Sequence, residues 1–194
     1  MPETKPAVRA AALGQSIWYD NISRDLLQSG KVDRLVAEEG VRGITSNPSI
    51  FEKAMSTSPA YAGQFAELVA EGRDAKAIYE ACAVHDIRAG ADALAGVFAA
   101  SHGRDGFVSL EVSPALAHDT AGTLEEARRL WAEVGRDNLM IKIPATPAGI
   151  PAIRGAIAAG LNVNVTLIFS LAAYGDVIEA YLAGLEDRVA RGKA

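Results

Sequence analysis

The sequence predicts an α/β protein in which short parallel strands alternate with helices and close on themselves as a barrel. Three observations carry this. Strand-like runs are each followed by a segment of helical period, the pattern of βα units on a parallel sheet. Every such run has one polar row, at alternate positions. One run, Leu139-Met140-Ile141-Lys142-Ile143-Pro144, holds a lysine inside an otherwise apolar strand. In a flat sheet with helices on both faces, five polar rows would be buried against apolar helix stripes at considerable cost; a barrel supplies a shared interior where they satisfy one another.

Five strands are expected, near Ser16–Asn21, Gly43–Phe51, Gly106–Ser113, Asn138–Ala145 and Asn162–Ser170. After the first, Ser23–Gly40 reads as two short helices separated at Gly30. After the second, Pro59–Ala100 reads as an all-helical insertion. Within it, Cys82 and His85 stand three apart, but no second ligand pair exists, so helix packing explains them better than a metal site. His102 and His118 are isolated, with His118 a loop candidate just past the third strand. Between the third and fourth strands, Thr123-Leu124-Glu125-Glu126 reads as a capping box opening a helix through Ala127, Leu130 and Trp131. After the fourth strand, Ile150, Ile153 and Ile157 share a helical face, with Gly160 as the left-handed closing residue. After the fifth, Ile178, Tyr181, Leu182, Leu185 and Val189 form another apolar stripe.

Successive strand residues face opposite sides, so the polar rows can be read by parity. Ser109, Glu111 and Ser113 oppose Val108, Leu110 and Val112. Asn162, Asn164 and Thr166 oppose Val163, Val165 and Leu167. Thr45 shares a face with Asn47, Lys142 alternates with Ile141 and Ile143, and Asp20 is in phase with Trp18. On its strand alone, Lys142 is accounted for by a buried salt bridge, the commoner reason for a lysine in low dielectric. The convergence reverses that order: one lysine with Asp20, Glu111, Asn47, Asn164 and Thr166 is more apparatus than neutralising one charge requires. A buried lysine that gives up its proton is a nucleophile able to form a Schiff base with a ketone or aldehyde. Imine chemistry then needs one acid/base group to shuttle protons through water and a second at the substrate hydroxyl.

At 194 residues and 49% hydrophobic content, the chain suffices for one well-buried domain. A net charge of −5 without a Lys/Arg cluster argues against nucleic acid or an acidic membrane surface as the main partner. The single Cys82 excludes an intrachain disulfide and a CxxC motif and suits a reducing cytosol. No signal-peptide core or stretch of ~18 uncharged apolar residues is found, and the expected location is cytoplasmic.

Taken together, Trp18-Tyr19-Asp20-Asn21-Ile22-Ser23-Arg24, Gly43-Ile44-Thr45-Ser46-Asn47-Pro48-Ser49, Ser109-Leu110-Glu111-Val112-Ser113-Pro114, Met140-Ile141-Lys142-Ile143-Pro144-Ala145-Thr146 and Asn162-Val163-Asn164-Val165-Thr166-Leu167-Ile168-Phe169-Ser170 closely resemble the transaldolase family, in family order over nearly the whole chain. The likeness is greatest to the longer bacterial branch, with its insertion between the second and third strands. The resemblance implies a (β/α)8 TIM barrel of class I aldolase type that moves a dihydroxyacetone unit between sugar phosphates in the pentose phosphate pathway, with no metal or organic cofactor. It implies that Lys142 carries the Schiff base and that Asp20 exchanges the proton of the substrate hydroxyl during carbon–carbon cleavage. It further implies that Glu111, through a water held with Thr166, shuttles protons in imine formation, and that Asn47 and Asn164, with Thr45 beside them, bind the dihydroxyacetone moiety.

A barrel of this type takes ~250 residues and eight strands, whereas five strands are readable here. The expectation is therefore a single partial barrel domain over residues 1–194, with 59–100 as the insertion, about five of eight βα units, and no match to the family's phosphate-binding serine and arginine. Unpaired sheet edges point to self-association or to pairing with a C-terminal part. The alternative function is a non-catalytic fragment or assembly module of such a barrel. A third reading is another Schiff-base lyase on a similar barrel.

Overall fold

The computed structural model of the chain describes residues 5–193. Among these, helix α1 (Pro6–Ala12) precedes strand β1 (Ile17–Asp20), helices α2 (Arg24–Gln28) and α3 (Lys31–Glu39), and strand β2 (Val41–Thr45). Helix α4 (Pro48–Thr57), a 3-10 turn at Pro59–Tyr61, α5 (Ala62–Ala70) and the long α6 (Ala75–Ala100) lead to β3 (Val108–Glu111). A second 3-10 turn at Pro114–Leu116 and α7 (Thr120–Val134) lead to β4 (Leu139–Pro144), α8 (Gly149–Ala159), β5 (Val163–Thr166) and α9 (Leu171–Ala190). The architecture is α/β, with five parallel strands hydrogen-bonded in chain order β1-β2-β3-β4-β5. That order is the one produced when each βα unit adds its strand beside the last, as in a (β/α) barrel.

Several boundaries differ from the sequence expectation, each for a local reason. The second strand runs from Val41 to Thr45 and stops well short of Phe51. Asn47 turns the chain into α4 by accepting the Ile50 N–H on its side chain, and Pro48 sits at a helix start, where its missing N–H is harmless. The fifth strand ends at Thr166, because Leu167 adopts φ 59° and so leaves the extended region. Helix α7 starts at Thr120: Asp119 caps it at the Gly122 N–H, while the Thr123 hydroxyl donates to the Leu116 carbonyl. Glu126, expected to close a capping box, accepts instead from the Ser113 N–H at 2.5 Å. Helix α1 was not foreseen; seven residues with no buried side chain carry too little periodic signal. The two short helices before β2 do part at Gly30, whose φ is 67°, and Gly160 ends α8 at φ 90°.

The contacts group the chain into two compact units, one reaching Val108 and including Arg136–Asn138, the other formed by Ser109–Gly135 and the residues from Leu139 onward. In the first unit β1 and β2 pair in parallel, with Trp18 opposite Gly43 and Asp20 opposite Thr45. Gly43 is required by packing: a Cβ there would lie 2.4 Å from the Trp18 ring. The unit's core joins Ile22, Ile44, Phe51, Tyr61, Ile87 and Leu94, all essentially sealed from solvent. The Asn138 side-chain amide donates to the Ala91 and Gly106 carbonyls and satisfies backbone that α6 and the entry to β3 leave open.

In the second unit Leu139, Ile141 and Ile143 of β4 are fully buried, together with Ala127 and Leu130 of α7 and Ala152, Ile153 and Ala156 of α8. The Val112 N–H donates to the Lys142 carbonyl, so the end of β3 and the middle of β4 lie side by side. Helices α8 and α9 pack closely because Gly184 admits Ile157, and the Arg154 fork grips Asp187 at 2.8 and 2.9 Å. That pair holds the Asp187 carboxyl below and the Arg154 guanidinium above their usual ranges. The residues of α9 that are buried are Ala180 and Gly184. Its predicted apolar stripe, Ile178, Tyr181, Leu182, Leu185 and Val189, stands 37–73% exposed.

Replacing Gly43 by Ala forces the Trp18 ring or the β2 backbone to move. The expected loss is about 1–3 kcal/mol of stability, read as a lowered urea midpoint with an altered tryptophan fluorescence signal. An unchanged midpoint would show that the ring shifts freely.

Candidate active site

The second unit assembles a polar site on one face of β3, β4 and β5. Lys142 is brought there by a strand whose alternate residues, Ile141 and Ile143, are buried on the other face, so its side chain is committed to this one. It is only 8% exposed. The β4–β5 register sets Lys142 opposite Asn164 and Pro144 opposite Thr166. On the other side, Glu111 at the end of β3 reaches Lys142, with Nζ 3.3 Å from Oε2. Glu111 is half-buried, its side chain 20% exposed.

Ser109, two residues before Glu111 and fully buried, accepts from the Asn164 side-chain amide at 3.4 Å. Ser109 and Asn164 belong to β3 and β5, with β4 between them, and strands two apart are separated by ~9.5 Å. Their side chains meet only because this face of the three strands is concave. Thr166 continues the same row, and its Oγ1 is buried with no hydrogen-bond partner within the protein.

The backbone around this row is fastened. The Ala145 N–H donates to the Thr166 carbonyl at 2.8 Å and the Thr146 hydroxyl to the Ala117 carbonyl. Glu126 takes the Ser113 N–H just beyond Glu111 and is itself 3.5 Å from Arg129. The ends of β3 and β4 are thus each held by hydrogen bonds to neighbouring elements.

The other sequence-predicted residues lie in the first unit. Asp20 ends β1 and is exposed, in register with half-buried Thr45 of β2. It opens onto a cleft whose walls include Asn21, Ser23, Ile50 and Lys53. Asn47 is half-buried, and its side-chain oxygen is engaged as the cap of α4, leaving its amide N–H₂ as the group with which it can donate. His118 is exposed in the turn before α7. Cys82 is sealed in the core, where burial pushes its thiol up, and His85 contacts Asp86 at 3.1 Å. Among the described residues no group of three or more His, Cys, Asp or Glu is arranged to hold a metal ion.

Two features were missed in the sequence. Ser109 lay on the Glu111 face by parity, and that parity was signal enough to include it. The buried cluster of Arg24, Tyr61 and Asp86 gave no signal, because 62 residues separate Arg24 from Asp86.

Lys142 and Glu111 form a sheltered ion pair, and apolar residues of like volume often serve a fold as well as such a pair. Lys142→Met and Glu111→Leu alone each remove one member of the pair and are each expected to lower stability by about 1–3 kcal/mol. The double variant is expected to be at least as stable as the parent in urea unfolding. A double variant weaker than either single one would show that the pair serves the fold.

The family model for transaldolase/fructose-6-phosphate aldolase matches residues 17–191. The transaldolase of Thiobacillus denitrificans is 52% identical over 180 residues, which cover 93% of this chain and 50% of that protein. Transaldolase 2 of a Nostoc species is 52% identical over 93% of this chain and 47% of its own length. The transaldolase of Mycobacterium leprae is 48% identical over 94% of this chain and 49% of its own. The chain therefore spans about half the length of the curated relatives it matches.

Proposed function

The chain belongs to the transaldolase/fructose-6-phosphate aldolase family, and from that premise we propose that its residues carry transaldolase chemistry through a Schiff base on Lys142. The donor is a ketose phosphate such as sedoheptulose 7-phosphate or fructose 6-phosphate, the acceptor an aldose phosphate such as erythrose 4-phosphate or glyceraldehyde 3-phosphate. The observation that carries this reading is the sheltered Lys142 with Glu111 at 3.3 Å and Asn164 opposite it on the neighbouring strand.

In the proposed sequence Lys142 Nζ passes a proton to Glu111 and attacks the donor carbonyl carbon, and Glu111 then moves protons, through a water shared with Thr166, so that the carbinolamine hydroxyl departs as water. The Asp20 carboxylate takes the proton of the adjacent substrate hydroxyl. The carbon–carbon bond then breaks, its electron pair passes into the protonated imine to give an enamine, and an aldose phosphate leaves. The enamine attacks the acceptor aldehyde, Asp20 returns the proton, and hydrolysis frees Lys142. The protonated imine is itself the electron sink, so the scheme needs no metal or organic cofactor. Asn47, Asn164 and Thr45 hold the hydroxyls of the dihydroxyacetone moiety.

No helix among the described residues is long and apolar enough to cross a membrane, and we place the reaction in the cytoplasm, where sugar phosphates of the pentose phosphate pathway are available.

Trapping tests the reading. The chain is incubated with fructose 6-phosphate, reduced with borohydride, and mapped by peptide mass spectrometry. A triose adduct on Lys142 is the expected outcome; an adduct confined to other lysines, or none even on a chain extended to the relatives' length, would overturn it. Erythrose 4-phosphate separates transfer from simple aldol cleavage, since a lyase releases dihydroxyacetone and makes no sedoheptulose 7-phosphate.

The partner we propose is the part of the barrel that the relatives carry beyond this match. It would add a strand beside β5, the end strand of the order, and a helix against the exposed stripe of α9. A separately produced C-terminal half of the Thiobacillus denitrificans relative is expected to co-elute one-to-one with this chain in gel filtration, and Leu182→Glu with Leu185→Glu to abolish co-elution. A homodimer that excludes the added half would make a second copy the occupant.

A further inference from the structure

The first unit buries an ionic cluster that lies outside the polar strand rows. Asp86 of α6, 0% exposed, accepts from Arg24 Nε at 3.0 Å and from the Tyr61 hydroxyl at 2.7 Å, with an Arg24 terminal nitrogen 2.9 Å away and His85 Nδ1 at 3.1 Å. Arg24, 6% exposed, also donates to Gln64 Oε1 at 2.7 Å and lies 4.4 Å over the Tyr61 ring. The Tyr61 oxygen in turn accepts the Arg24 backbone N–H at 3.0 Å. Burial, and then the Asp86 carboxylate, push the Tyr61 phenol well above its usual range, so it stays a neutral donor.

A buried ion pair of this kind adds little net stability over an apolar filling, so its use lies in what it locates. Arg24 is the first residue of α2 and stands four after Asp20. Of the residues between, Ile22 is fully buried, its Cδ1 3.3 Å from where a Cβ on Gly90 of α6 would sit, and Ser23 caps the Leu26 N–H at 3.2 Å. The loop that carries Asp20 away from β1 is therefore tied to α6 twice, by Ile22 packing against Gly90 and by Arg24 bonding to Asp86. The backbone bond to Tyr61 ties it again to the 3-10 turn. Asp20 itself is exposed at the strand end, and its direction depends on this anchored loop.

We propose that Arg24, Tyr61 and Asp86 are positioning residues for Asp20, setting its carboxylate for the proton transfer that accompanies carbon–carbon cleavage. The inference rests on the transaldolase reading above. It separates two steps. Imine formation at Lys142 does not draw on Asp20. Cleavage does: Asp20 removes the hydroxyl proton, the carbon–carbon bond electrons enter the imine, the aldose phosphate leaves, and the enamine takes a proton at carbon to become the triose imine that borohydride reduces.

The test reads the ratio of hexose to triose adduct on Lys142 after fructose 6-phosphate and borohydride, using the chain alone or with the C-terminal half, whichever labels in the parent. Asp20→Asn serves as the reference for blocked cleavage. Asp86→Asn is expected to raise the hexose-to-triose ratio at least ten-fold, within the roughly hundred-fold that a 1 Å misplacement can cause, while total Lys142 labelling stays within about two-fold. Tyr61→Phe removes one hydroxyl and keeps the ion pair, and is expected to move the ratio the same way by a smaller factor; it holds the test open if Asp86→Asn does not fold. An unchanged ratio in a folded variant, or equal loss of both adducts, would overturn the positioning role. Absence of any adduct in the parent, whether alone, with the C-terminal half or extended to the relatives' length, would instead defeat the transaldolase reading, and this inference with it.

Discussion

A strand whose one face is packed under helices must find partners for every polar group on its other face among neighbouring strands, and in the second unit that constraint organises the whole face around Lys142. Leu139, Ile141 and Ile143 fill the helix side of β4. The single cation left on the other side meets Glu111 from β3 and lies opposite Asn164 from β5. Each of these pairings requires parallel strands in register, because a one-residue slip would exchange the polar row with the apolar one. The Val112 to Lys142 backbone bond and the Ala145 to Thr166 bond hold that register at both sides of β4. Concavity follows from the Ser109–Asn164 contact across the intervening strand.

The first unit solves a different problem. Its β1 and β2 are short, and their ends are exposed or half-buried, so side chains at the strand ends depend on how the following loops are tied down. Asn47 does this locally, by capping the helix that begins at the next residue. The β1–α2 loop is tied over distance, by α6. A 26-residue helix with Cys82, Asp86, Ile87, Gly90 and Leu94 all buried is a rigid support, and it receives Ile22 by packing and Arg24 by charge. An apolar anchor alone resists separation but not sliding. The Arg24 guanidinium on Asp86 adds direction to that anchor.

Helix α9 shows how small residues and large ones divide a helix between two surfaces. Ala180 and Gly184 bring it close to α8, and the Arg154–Asp187 pair fixes the approach. The large side chains, Ile178, Tyr181, Leu182 and Leu185, are consequently on the side away from the tightest contact and line an apolar groove with Ile157 and Val165.

By itself the sequence determined the fold class, the five strands in order, the helices after β4 and β5, and the parity of the polar residues that fall inside β3, β4 and β5, whereas Asn47, Ser113 and Asn162 lie beyond the strand ends. Those features are periodic, and periods of 2 and 3.6 survive without knowledge of what packs against them. Lys142, Glu111, Asn164 and Thr166 were legible for that reason, and Ser109 could have been added to them. Boundaries set by single residues were less legible: Pro48 starting a helix inside an apparent strand, Leu167 taking a left-handed turn, Asp119 capping ahead of the expected Thr123. Tertiary structure alone decided which charged groups meet. Arg24 and Asp86 are joined by burial from helices far apart in the chain, and Glu126 is drawn from its own cap to the end of β3. Such contacts leave no period in a sequence because they are enforced by the cost of burying an unpaired charge, a cost that exists only once the chain has folded around it.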